Sequence, residues 1–360
     1  MTATQHLHGL GQRLWLDHIT RELLTSGTLG RYIRELAVTG LTSNPTIFTH
    51  AIKDGNLYED AIRTKAQAGK SDEALFFELA LEDLTQAADL FRPIFDATDG
   101  IDGWVSLEVS PLLADDTAGT LKAATQLHAL AQRPNLFIKI PGTRAGIAAI
   151  EDTIFAGVPV NVTLLFSRAH YLAAAEAYMR GLERRLAAGL DAKVASVASI
   201  FISRWDVAIQ DKVPDTLRNR LGIAIAKHTY QAYRDLLAST RWQKLAAAGA
   251  RPQRVLWAST GTKDPLAPDV LYVEALAAPD TINTMPEKTL LAFAAHGKVE
   301  DTLRFDGSDA EAVLAEFIHE GINPEALATE LQHEGTAAFA KSWADLMRRI
   351  ASQRDVGGIA

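Results

Sequence analysis

A lysine stands in the middle of an apolar run, Asn135-Leu136-Phe137-Ile138-Lys139-Ile140-Pro141-Gly142-Thr143. The run reads as a buried strand entering a tight turn. Strand side chains alternate between faces, so Leu136, Ile138 and Ile140 point one way, and Phe137 and Lys139 the other. A buried ammonium is costly unless it is paired or gives up its proton. Burial favours the neutral amine, which is a nucleophile toward carbonyls. Taken alone, the stretch fits a structural lysine paired with a carboxylate as well as it fits an imine-forming lysine.

Other polar side chains fall into the same phase on other apolar strands. Asp17 ends Arg13-Leu14-Trp15-Leu16-Asp17, opposite in phase to Leu14 and Leu16. Asn44 stands at the tip of Val38-Thr39-Gly40-Leu41-Thr42-Ser43-Asn44, where Pro45 is expected to stop the strand. Glu108 alternates with Val105, Leu107 and Val109, while Asn161 and Thr163 alternate with Val158, Val160, Val162 and Leu164. Ser199 in the strand near Val194–Phe201 and Ser259 at the end of the strand Arg254–Ser259 are assigned to the same face. One lysine, carboxylates, amides and hydroxyls, all on one face, form an inventory for Schiff-base chemistry. The imine serves as an electron sink for breaking the adjacent carbon–carbon bond, and the carboxylates move protons. No cofactor is called for.

These side chains need a frame that brings several strand ends together. The seven strands above, with an eighth at about Thr281–Met285, alternate with helical patterns such as 116–132, 144–155, 168–188 and 215–238. That alternation argues for βαβ units and a parallel sheet. Neither G-x-G-x-x-G after a strand nor G-x-x-x-x-G-K-[ST] occurs, so a nucleotide-binding doubly wound sheet is disfavoured. The expected fold is a single (βα)8 barrel domain over 1–360. Its additions are a helical insert at about 56–98 and a helical C-terminal part at about 308–352. In such a barrel the site lies at the C-terminal mouth of the strands.

Composition narrows the function classes. A net charge of −8 opposes the basic surface of a nucleic-acid binder, though not a local cationic pocket. No apolar stretch reaches the ~18 residues of a membrane span, and residues 1–12 show no signal-peptide pattern. The chain has no cysteine, which removes disulfides and thiolate metal sites and fits a cytoplasmic protein. His333-Glu334 lacks the second histidine of a zinc-protease helix, so no metal site is expected. Trp257-Ala258-Ser259-Thr260-Gly261 lacks the first glycine of a nucleophile elbow. His18 reads as a loop histidine, and Asp115-Asp116 as a helix start.

At these residues the chain resembles the transaldolases, in particular the longer branch found in plants and many bacteria. The resemblance rests on Leu14-Trp15-Leu16-Asp17, Gly40-Leu41-Thr42-Ser43-Asn44-Pro45-Thr46-Ile47-Phe48, Ser106-Leu107-Glu108-Val109 and Ile138-Lys139-Ile140-Pro141-Gly142-Thr143. It continues through Asn161-Val162-Thr163-Leu164-Leu165-Phe166-Ser167, Ser199-Ile200-Phe201-Ile202-Ser203-Arg204-Trp205-Asp206, Leu256-Trp257-Ala258-Ser259-Thr260 and Asn283-Thr284-Met285-Pro286-Glu287. These segments run in order over about residues 10–350.

The resemblance implies transfer of a dihydroxyacetone unit from a ketose phosphate to an aldose phosphate. It makes Lys139 the Schiff-base lysine and Asp17 the acid/base at the C4 hydroxyl. Glu108 and Thr163 become the pair that handles a catalytic water. Asn44, Asn161 and Ser199 would hold substrate hydroxyls, and Arg204 a phosphate.

One departure stands out. Shorter transaldolases follow the seventh strand with Ser-Phe-Arg, where this chain has Ser259-Thr260-Gly261. Lys263 is the candidate second phosphate cation, with an exposed loop lysine as the plain alternative. In some relatives the unit is fused ahead of a glucose-6-phosphate isomerase, so such a unit is a candidate partner in the natural chain. A Schiff-base aldolase acting on fructose 6-phosphate and a non-catalytic barrel scaffold stay open as alternative readings.

Overall fold

The computed structural model describes residues 2–54, 56–299, 302–303 and 308–355. Eight parallel strands close into a barrel in chain order. They are β1 (Arg13–Leu16), β2 (Val38–Leu41), β3 (Trp104–Glu108), β4 (Leu136–Pro141), β5 (Val160–Leu165), β6 (Ser196–Phe201), β7 (Arg254–Ala258) and β8 (Ile282–Met285). Strand β8 pairs back onto β1, with Trp15 beside Thr284 and Leu16 beside Met285. The expected (βα)8 barrel is the observed one. No helix among the described residues is long and apolar enough to cross a membrane.

Alternation along the strands separates two apolar layers. Leu14, Val105, Ile138, Val160, Ile200 and Val255 face the surrounding helices. Trp15, Trp104, Phe137, Val197, Leu256 and Ile282 belong to a separate cluster that fills the interior. Trp104 and Phe137 stack there with centroids 4.0 Å apart. The Trp15 indole lies over β2, where a Cβ on Gly40 would stand 2.6 Å from its ring. A glycine is therefore required by close approach, and Trp15 Nε1 donates to buried Asp102 at 3.1 Å.

Local sequence signals place the helices. Asp116 caps the helix Thr117–Ala131 by accepting from the Gly119 N–H, which bears out the reading of the aspartate pair. Thr143 caps Arg144–Phe155, and Ser71 caps Asp72–Ala97. The expected 215–238 helix is broken into a 3-10 turn, Asp215–Leu217, and the helix Leu221–Ala238. Helices after β2 begin earlier than expected. Pro45 opens Pro45–Asp54, as suits a residue whose missing N–H needs no partner at a first helical position. Glu59–Gln67 and Asp72–Ala97 come next, and the C-terminal part forms Ser308–His319 and Pro324–Asp355. The tail glycines Gly357 and Gly358 lie outside the described residues.

Two strand phases depart from simple alternation. Leu164 has φ +56° at a register shift between Val162 and Leu165, and it joins the interior cluster instead of the outward face of Val160 and Val162. In β7, Trp257 faces outward, so alternation would also send Ser259 outward. The left-handed backbone of Ser259, φ +56°, turns it back toward the mouth. The expected inner-face position of Ser259 is thus reached through a backbone break, not through strand phase.

Gly40→Ala should destabilise the barrel by about 1–3 kcal/mol, because the new methyl meets the rigid indole of Trp15. A lower unfolding midpoint in thermal melts checks this, and an unchanged midpoint would refute the close-approach account.

Candidate active site

A cavity opens at the C-terminal mouth of the barrel. Its walls include Asp17, Asn44, Lys139, Thr163, Ser199 and Arg204, together with Ser259 and Lys263. Residues contributed by β4, β5 and β6 and by the segments after β1, β2, β6 and β7 thus converge on one space. Glu108 and Asn161, the remaining two candidates, are buried on the strands either side of Lys139 and do not line it.

Lys139 is 5% exposed. Its Nζ lies 3.4 Å from Glu108 Oε2 and donates to the Ser43 carbonyl at 3.2 Å. Strand register explains the pair, since Glu108 and Lys139 are direct neighbours on β3 and β4. Burial pushes the Glu108 carboxyl above its usual range, and the adjacent lysine pulls the other way. Thr163 Oγ1 is buried without a hydrogen-bond partner, and Glu108 Oε2 carries no more than its 3.4 Å ion pair with Lys139. Buried polar atoms in this state suit a small polar guest such as water.

A hydrogen-bond chain links the lining residue Ser199 to buried polar groups behind it. Ser199 Oγ donates to Asn161 Oδ1 at 2.7 Å, and Asn161 Nδ2 donates to Ser106 Oγ at 3.1 Å. Asn161 is fully buried, so its observed partners are protein groups. At the other wall, Thr42 Oγ1 donates to Asp17 Oδ1 at 2.6 Å. Thr42 has only one hydroxyl hydrogen, so the 2.7 Å contact with Thr284 Oγ1 runs from Thr284 to Thr42. This relay fixes one oxygen of Asp17. Asn44 Oδ1 accepts from the Ile47 N–H at 3.0 Å and starts the helix after β2, leaving Nδ2 as its donor end.

Arg204 is half-buried against the Phe201 ring, 5.0 Å from the centroid, and burial lowers its pKa against the pull of Glu334 and Glu108. Lys263 is exposed at the rim. Ser259 Oγ is 2.9 Å from Ser203 Oγ, tying the turn after β7 to the start of the helix that carries Arg204.

Several lining residues were not singled out from sequence: Thr42, Phe201, Thr284, Pro286 and Phe339. Phe339 comes from the helix Pro324–Asp355 and lies 5.8 Å from Lys139 Nζ, measured to its ring centroid. The signal was the buried stripe Leu331, Gly335, Phe339, Trp343, Leu346 and Ile350, whose spacing marks one buried helix face. Periodicity shows that such a face is covered, not what it covers.

The transaldolase/fructose-6-phosphate aldolase family model matches residues 14–350. The chain belongs to this family. It is an enzyme, similar to a transaldolase of Parafrankia sp., with 45% identity over 96% of either chain. A transaldolase of Thermobifida fusca is 44% identical over 97% of either chain, and one from Thiobacillus denitrificans is 42% identical over 97% of this chain and 100% of its own. Coverage this complete leaves no room in those relatives for a fused isomerase unit.

Within this family enzyme the segment bearing Arg204 is anchored by Asp206, two residues on. Asp206 accepts from Tyr272 Oη at 2.8 Å and from the Leu221 N–H at 3.0 Å, holding the start of Leu221–Ala238. Burial raises its pKa from 3.8 to about 6 despite these bonds. A carboxyl with a raised folded-state pKa gives stability that is full below the unfolded value and lost as pH rises through the folded one. The stability difference between the native chain and Asp206→Asn should therefore shrink by at most about 3 kcal/mol as pH rises from about 4 to above 6. Denaturant melts across that window test this, and a pH-independent difference would refute it.

Proposed function

We propose that the protein is a cytoplasmic transaldolase of the pentose phosphate pathway. It moves a dihydroxyacetone unit from sedoheptulose 7-phosphate or fructose 6-phosphate to glyceraldehyde 3-phosphate or erythrose 4-phosphate. The observation that carries the reading is that Lys139, a buried amine, and Asp17, a half-buried carboxylate, open into one cavity with Arg204 and Lys263 on its wall.

In this reading Lys139 passes a proton to neighbouring Glu108 and attacks the ketose C2 carbonyl as the free amine. The returned proton lets the carbinolamine hydroxyl leave as water, giving a protonated imine. Asp17 takes the proton of the C4 hydroxyl. The C3–C4 bond then breaks, its electron pair moves into the iminium, and an aldose phosphate leaves. The resulting enamine attacks the carbonyl carbon of the second aldose. Asp17 returns its proton to the new alkoxide, and water hydrolyses the imine. Thr163 Oγ1, which has no hydrogen-bond partner, and Glu108 Oε2, held only by its ion pair with Lys139, support a seat for that water. Asn44, Asn161 and Ser199 are assigned to the substrate's hydroxyls, with Asn161 acting through Ser199 to which it is bonded. Ser259 joins them at the rim, and Arg204 with Lys263 takes the phosphate.

The test is borohydride reduction with fructose 6-phosphate, then peptide mass mapping. A reduced dihydroxyacetone adduct on Lys139 is expected, and its absence from active enzyme would sink the reading. Lys139→Ala should abolish transfer. Asp17→Ala should still trap the adduct while transfer to erythrose 4-phosphate falls by about 10²–10⁴-fold. Loss of trapping in folded Asp17→Ala would contradict the role given to it. Rapid release of free dihydroxyacetone without an acceptor would point to an aldolase instead.

A further inference from the structure

We propose that Gln332 is a positioning residue for the reaction: its side-chain amide ties the end of the Lys139 strand to the end of the Thr163 strand. The inference rests on Lys139 as the imine-forming residue. Gln332 Nε2 donates to the Gly142 carbonyl at 3.0 Å and to the Leu164 carbonyl at 2.9 Å. Gly142 comes directly after β4, three residues beyond Lys139, and Leu164 is next to Thr163 in β5.

The tie falls beside one of the breaks in the barrel's regular strand register. Gly142 N–H still donates to the Thr163 carbonyl at 2.8 Å. One residue later Leu164 takes φ +56°, and the β5–β6 register shifts. A left-handed conformation is costly for a residue with a Cβ and persists only when its surroundings over-determine it. An NH2 group carries two donors, which match two carbonyls on two different strands.

The same helix face continues over the site. At Gly335, a Cβ would stand 2.9 Å from Leu164 Cδ2 and 3.2 Å from Arg204 Nη1, so only a glycine lets both approach undisturbed. One turn further, Phe339 lies 5.8 Å from Lys139 Nζ and 5.9 Å from Arg204 Cζ. Thr46 Oγ1 donates to Ser342 Oγ at 2.8 Å and holds the helix against the segment after β2. The C-terminal helix thus rests on the ends of the strands that carry the reacting groups. Gln332 is its polar contact with both.

Gln332→Leu keeps the approximate volume and removes both donors. Its kcat for transfer from fructose 6-phosphate should fall about 10–100-fold with little change in KM, because the defect is misalignment of bound groups. Single-turnover borohydride trapping on Lys139 should slow in proportion. Gln332→Glu is the second variant: its carboxylate has no donor at neutral pH and regains one on protonation. Its kcat relative to the native enzyme should therefore rise as pH falls, a profile that a packing role would not produce. Thermal melts establish that each variant is folded.

A folded Gln332→Leu enzyme with native kcat overturns the proposal, as does a loss confined to KM. Should Gln332→Leu fail to fold, a Gln332→Glu ratio that stays flat with pH overturns it. If the native enzyme traps no adduct on Lys139, the reading beneath falls and the inference falls with it. If the native enzyme and folded Gln332→Leu trap equally fast, only the inference fails.

Discussion

The structure depends on keeping an ammonium and a carboxylate out of water side by side. Lys139 and Glu108 are nearly fully buried and 3.4 Å apart. Removing either partner would strand the other charge, which makes such pairs far costlier to break than surface ion pairs. A closed parallel barrel meets the requirement geometrically. Register makes the two residues neighbours on β3 and β4, both aimed inward. Trp15, Trp104 and Phe137 fill the interior with rings. Ser106, Asn161 and Ser199, linked to one another by hydrogen bonds, add polar groups around the pair. Polarity therefore rises from the aromatic interior to the mouth, where Lys139 and Asp17 line the cavity.

That gradient explains why much of the site could be read from sequence. An aliphatic strand leaves its inward positions conspicuous when they are polar, as at Lys139, Glu108, Asn161 and Thr163. Alternation carries that information wherever the backbone stays extended. It fails where the backbone turns left-handed, because one such residue reverses the phase of its successors along the strand. Leu164 and Ser259 are both of this kind, and neither is a glycine that would have advertised the conformation. Pro45 misled differently. It marked the end of one element correctly, but it also marked the start of another, and Asn44 turns out to be a helix cap as well as a cavity residue.

Contacts from distant segments were illegible for a further reason. Phe339 and Gln332 reach the site from a helix nearly two hundred residues beyond Lys139 in the chain. Helical periodicity identifies a buried face, yet burial against a helix layer and burial against an active site produce the same pattern. The distinction lies in the partners. Trp343 packs on Phe76, whereas Phe339, one turn earlier on that face, faces Lys139 and Arg204. A single amphipathic stripe thus serves the core at one end and the cavity at the other.

The two cations at the cavity wall divide along the same line of burial. Arg204 is half-buried beside the Phe201 and Phe339 rings, so its charge is screened less than an exposed one, and a guanidinium is a planar fork of donors. Lys263 stands exposed on the segment after β7, where salt screens a charge over ~8 Å at physiological ionic strength. Gly261 also borders the cavity, and a Cβ there would meet only Pro286 Cγ and Thr289 Oγ1 at 3.4 Å, ordinary contact distance. Crowding at the backbone therefore does not exclude a side chain at position 261. The chain instead carries Lys263 two residues later, an exposed point charge. In the reading proposed above, one buried and one exposed cation suit ligands of different length: the carbonyl end is held at Lys139, and the phosphate end tolerates the difference.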